Sequence, residues 1–226
     1  MFGKAVPSES TISSWSKKVD CSPGFTQPAL DLIKSIVLEQ HKTGRKIYLA
    51  LIFDDIHIRK HFTLHQGSLI GGSDFGDGPM EEEDEAAGMV MTIMVVAYNM
   101  SWKLPVGYFV FNKIKSSVRA NLISLAIDKI NETGAVLLSL TCDNTNENIG
   151  TYTELGANCK TPGSFKSTIT KTNCLNYPIH IFLDNPHCIK LGILFMCNLI
   201  FYRDFSISFY LKGQLTFLII NSSFYL

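Results

Sequence analysis

Two aspartates stand where strand-borne carboxylates could share a hard cation. Asp54 interrupts the run IYLALIFDDIHIR (residues 47–59), and Asp143 directly follows the apolar run AVLLSLTC (135–142). The first run is apolar almost throughout to Phe53, as expected of a strand covered on both faces. It then alternates, with Ile52, Asp54, Ile56 and Ile58 on one face and Phe53, Asp55, His57 and Arg59 on the other. Asp54 is therefore expected in line with isoleucines, where a lone carboxylate is costly unless a cation or donor meets it. Asp55 is expected to be its solvated neighbour. Ahead of the second run, Val118, Leu122, Leu125, Ala126 and Ile130 recur at helical spacing, and Gly134 fits the stop. A strand, a crossover helix and a strand imply parallel pairing, which would bring Asp143 beside Asp54. A divalent cation between them would relieve the repulsion that otherwise raises one carboxyl pKa. Taken singly, each acid has a plainer reading. Asp54 could be a buried acid held by a donor, and Asp143 a turn acid ahead of Asn144.

The elements that must position these acids follow from patterning. Residues 8–19 predict a short helix capped by Ser8 or Ser10, with Ile12 and Trp15 at helical spacing. A second helix is predicted from Pro28 to about Gln40 through Leu30, Ile33, Ile36 and Val37. Together residues 1–46 read as a helical lead-in packed on a sheet, in preference to a DNA-reading helix-turn-helix. Residues 68–73, with Gly67, Gly71 and Gly72 as turn residues, predict a hairpin with the Asp54 strand. In doubly wound enzymes, ligand groups lie beyond the carboxyl end of a strand. An acid in mid-strand on the first hairpin of a mixed sheet is instead the arrangement of RNase H-like nucleases.

The acidic stretch 76–85, GDGPMEEEDE, reads as a solvated loop, because consecutive acids point apart and repel. Strands are predicted over 88–98 and 102–111, with Pro105 suiting an edge or a bend in the second. Residues 156–176 read as loop and 179–183 as a last short strand. A helix capped by Asn185 and opened by Pro186 should follow, with His187 as a capping or packing residue. The apolar tail, residues 192–226, is broken by Arg203 and Asp204 short of bilayer length, so no membrane partner is expected. It reads as foreign to the preceding domain.

Composition narrows the class. At 226 residues there is room for one sizeable α/β domain with short attachments. Twenty basic and twenty acidic residues cancel, so net charge argues neither for nor against nucleic acid. Cysteines 21, 142, 159, 174, 188 and 197 form no CxxC pair and follow no secretory leader, which predicts reduced thiols in an intracellular protein. A phosphatase of the haloacid dehalogenase type would need Asp-x-Asp, and Asp54-Asp55-Ile56 lacks it.

Several segments together resemble the transposases of the P element family and their THAP-domain relatives. They are residues 7–15, Val19-Asp20, Pro23-Gly24-Phe25-Thr26, FDDIHIRK (53–60), SWKLPVGY (101–108), CDNTNEN (142–148) and DNPHCIK (184–190). The resemblance spans about residues 7–191 and rests on order and spacing. The family usually has Asp-Glu where this chain has Asp54-Asp55.

The resemblance implies an α/β fold, an RNase H-like mixed sheet with flanking helices over residues 47–191, incomplete at its C-terminus. It implies DNA strand cleavage and transfer by three acids holding Mg2+ ions roughly 3.5 to 4 Å apart. Asp54 and Asp143 would be the first and second acids, both catalytic and metal-binding. The third, a glutamate, lies in the family beyond an inserted guanine-nucleotide-binding region. Neither that region (the GTP site) nor the zinc-binding THAP domain has a counterpart here. Glu132, Glu147 and Glu154 offer no spacing that favours one as a substitute. The expectations are a nuclear protein with DNA (transposon ends) as partner, capable of homo-oligomerisation and inactive alone. The alternative is a nucleic-acid or transposase-interaction module derived from a transposon.

Overall fold

The computed structural model describes residues 8–16, 22–65, 68–78, 85–159, 161–184, 209–211 and 214–216. In chain order these form α1 (Glu9–Ser16), β1 (Gly24–Phe25), α2 (Gln27–Lys42), β2 (Tyr48–His57), β3 (Thr63–His65), β4 (Ser68–Ile70), β5 (Met89–Ala97), β6 (Lys103–Phe111), α3 (Ser116–Glu132), β7 (Val136–Cys142), α4 (Asn146–Glu154), β8 (Thr168–Thr172) and β9 (Pro178–Leu183). A second compact unit, from Asp184 onward, contains the antiparallel pair β10 (Phe209–Leu211) and β11 (Gln214–Thr216). The predicted helix at Asn185 with His187, most of the acidic run and most of the tail lie outside the described residues.

Local chemistry accounts for the helices. Ser8 Oγ accepts from the Thr11 N–H at 3.3 Å, the bond expected of a cap to α1. Pro28 opens α2, whose Ala29, Leu30, Ile33 and Val37 are buried. Gly134, at φ +80°, takes the left-handed turn that stops α3.

Seven strands form one mixed sheet in the order β1-β6-β5-β2-β7-β9-β8. β2 is central. It pairs antiparallel with β5 and parallel with β7, and β7 pairs parallel with β9. The parallel relation expected from the α3 crossover is therefore present. In β6 the register slips: Ile93 faces Gly107 while Met94 faces Pro105. Val106 is the extra residue, so Pro105 sits at a bend, where its missing N–H does least harm.

Three expectations are corrected. The hairpin partner of β2 is β5, because residues 68–70 pair locally with β3 in a separate two-stranded ribbon. Residues 156–176 are not all loop, since β8 pairs antiparallel with β9. The buried stripe of α3 is also rotated: Val118 and Leu125 are 39% and 49% exposed, while Arg119, Leu122, Ile123, Ala126, Ile127 and Ile130 are buried.

The core lies on one face of the sheet. Leu49, Leu51 and Phe53 of β2, with Met91, Ile93 and Val95 of β5, pack in one cluster with the buried residues of α2 and α3. The alternate residues Ile52, Asp54 and Ile56 point to the other face, where burial is incomplete.

Candidate metal centre

β2 and β7 place the two predicted acids at the same level. The last residues of their parallel register are Ile52 and Thr141, and Asp54 and Asp143 each lie two positions further on. Both carboxylates act through space on the Asp55 carboxyl and on the Cys142 thiol, so they converge on one region. β7 ends at Cys142 and the chain turns into α4, which leaves the end of β2 without a parallel neighbour beside Asp54.

The two neighbours Asp54 and Asp55 exchange the roles expected of them. Asp54 is exposed, as are Ile56 and Ile58 on its face at 54% and 41%. Its Oδ1 accepts from the Asp55 N–H at 2.9 Å. Asp55, expected to be solvated, is the enclosed acid, with a side chain 16% exposed and its Oδ2 2.7 Å from Arg119 Nη2. The physical reason is which face carries the helices. α3 and α4 cover the Phe53–Asp55 side, so the isoleucines do not mark the inner face. Burial raises the Asp55 carboxyl above its ordinary value, and the Arg119 guanidinium opposes this.

Asp143 is held by the start of α4. Its Oδ1 accepts from Thr145 N–H at 3.3 Å, Thr145 Oγ1 at 3.0 Å and Asn148 Nδ2 at 2.5 Å. Thr145 in turn caps α4 through Asn148 N–H. These bonds to Thr145 are those of the plainer turn-acid reading of Asp143. Asn148 Oδ1 accepts from Arg119 Nη1 at 2.9 Å. A continuous chain of contacts therefore joins Asp143, Asn148, Arg119 and Asp55. Burial pushes the Cys142 thiol up to about 12, so it stays protonated at neutral pH and supplies no thiolate.

Sequence reading gives no role to Arg119, nor to Asn148, although Asn148 closes the segment CDNTNEN. A signal for Arg119 existed: it precedes Ile123, Ala126 and Ile130 at spacings of four, three and four, so it belongs to the apolar stripe of α3. An arginine in such a stripe needs a buried acceptor. For Asn148 the signal was the Thr-x-x-Asn spacing that opens α4.

Residues 21–156 match the family described as TNP-like, RNase H N-terminal domain. The chain belongs to this TNP-like RNase H family. It is 25% identical over 191 residues to the human protein DNA transposase THAP9, covering 82% of this chain and 21% of that protein. A solved structure, the Drosophila P element transposase strand transfer complex, superposes with a TM-score of 0.60 at 19% identity, covering 93% of this chain and 40% of that one. The chain thus spans about a fifth of the human relative's length. The mixed sheet has the RNase H-like fold of that P element transposase structure, as the resemblance implied.

The donor set of this TNP-like domain fits a divalent cation. Each carboxylate has its hydrogen bonds on Oδ1, and among the described residues no hydrogen bond is made to Oδ2 of Asp54 or of Asp143. Oxygen ligands of this kind suit Mg2+ or Mn2+. Among the described residues no group of three or more His, Cys, Asp or Glu side chains is placed to hold a metal, so Glu132, Glu147 and Glu154 complete no site there.

Proposed function

We propose that Asp54 and Asp143 are two metal-binding acids of a P-element-type centre for DNA strand cleavage and transfer, with transposon-end DNA as substrate and the nucleus as place of action. The observation that supports this best is that Asp54 on β2 and Asp143 just past β7 each lie two residues beyond the last pair of the parallel register, each with one oxygen tied and the other open. Bound Mg2+ would supply activation of the attacking oxygen and stabilisation of the leaving one. The chain's own residues orient the acids: the Asp55 N–H holds Asp54, and Thr145 with Asn148 holds Asp143. Exposed Arg59, at the end of the same strand run, offers a cation for a phosphate backbone. No described helix is long and apolar enough to cross a membrane.

Two carboxylates are one short of the three-acid set, and acids of a metal site act as a unit. The described residues alone are therefore expected not to cleave DNA, and a further acid would be needed.

Calorimetric titration with Mn2+ tests the pair. Wild type should bind, with Asp54→Ala and Asp143→Ala each weakening affinity by at least tenfold. Equal heats for all three proteins would refute the shared site.

A further inference from the structure

We propose that Asn148 is a positioning residue that presents one oxygen of Asp143 to the metal, and that Arg119 sets Asn148 for this task. The inference rests on the metal-site reading above and goes beyond it.

The argument is one of donors and acceptors. A carboxamide has one accepting end and one donating end, whereas a guanidinium only donates and a carboxylate only accepts. With Arg119 Nη1 on one side at 2.9 Å, the Asn148 end facing it must be the oxygen. The amino group is then turned to Asp143 Oδ1 at 2.5 Å. Reversing the amide would set donor against donor and acceptor against acceptor, so Arg119 allows one orientation only. Asn148 is 3% exposed and Arg119 2%, which leaves water little room to replace either contact.

The consequence falls on Asp143. Three donors from Thr145 and Asn148 gather on a single oxygen, which resists rotation of the carboxylate and leaves Oδ2 outside these bonds. Without Asn148, the two Thr145 donors, at 3.3 and 3.0 Å, would hold the group from one side only. The second arm of Arg119 meets Asp55 at 2.7 Å, so the clamp refers the start of α4 to the strand that carries Asp54. One buried cation thus contacts both the partner of Asp143 and the chain neighbour of Asp54.

Mn2+ affinity of the 226-residue chain, measured by calorimetry, tests the proposal with Asn148→Ala, Asn148→Asp and Asp143→Asn. Asn148→Asp still accepts from Arg119 but cannot donate to Asp143. It carries the comparison if Asn148→Ala fails to melt cooperatively. Both Asn148 variants are expected to bind Mn2+ about 10- to 100-fold more weakly than wild type, the usual cost of losing a partner behind a metal ligand. A folded Asn148 variant with wild-type affinity overturns the positioning role. If at the same time Asp143→Asn has lost binding, the two-carboxylate reading stands and only this inference falls. If Asp143→Asn binds as wild type does, the metal-site reading fails, and this inference with it.

Discussion

Arg119→Met is expected to lower folding stability by about 3–5 kcal/mol at pH 7, the usual cost of breaking a buried ion pair from one side. Methionine refills much of the volume, so the loss is electrostatic. Arg119 has a side chain 3% exposed, and its removal leaves Asp55, at 16%, charged and enclosed near Asp54 and Asp143. Asn148 loses its donor in the same step.

The sign of the pH dependence follows from Asp55. In the unfolded chain its carboxyl titrates near the ordinary value of 3.8, and in the folded chain burial already raises it. Without the guanidinium it rises further. A raised carboxyl stabilises the fold below its unfolded pKa and loses that contribution as pH climbs through the folded one. The deficit of Arg119→Met should therefore be smallest near pH 4 and grow toward neutrality. Urea denaturation in EDTA at both pH values reads this directly. A double variant, Asp55→Leu with Arg119→Met, should recover most of the loss, because removing both partners spares the uncompensated charge. An equal deficit at both pH values would refute the account.

Phe53→Ala should cost about 3–5 kcal/mol by opening a cavity in the centre of the sheet. Phe53 is 1% exposed on the central strand and meets Tyr152 of α4 edge to face, with ring centroids 6.0 Å apart. It therefore ties the strand that carries Asp54 to the helix whose first turn holds Asp143. Phe53→Leu, which refills part of the space, should cost markedly less. Guanidinium midpoints for the two variants measure the difference. A cost below about 1.5 kcal/mol for alanine would mean that α4 does not pack on β2 as described.

Periodicity was enough to place the crossover helix, and short apolar runs rich in β-branched and aromatic residues or bounded by turn residues placed the central strand and β7. It failed where structure depends on distant partners. Residues 68–70 have strand character, yet β5 offers β2 nine register positions and β3 offers residues 68–70 three, so the longer pairing forms with β5. β8 was missed because Thr168–Thr172 carries little apolar signal and is recruited by the edge of β9. Threonine and asparagine hide α4 in the same way, since its stability comes from the Thr145 cap and from Tyr152 in the core.

For the site, the order of residue types along the chain was enough to single out Asp54 and Asp143 as the pair proposed to share a hard divalent cation. Alternation also separated Asp54 from Asp55. Which of the two faces inward was decided only by the tertiary structure, because α3 and α4 choose the face they cover and the strand pattern is apolar on both. The same packing buried Arg119 and Asn148 behind the acids. Their contacts join donors and acceptors of separate elements that meet only in space, and spacing along one chain cannot express that.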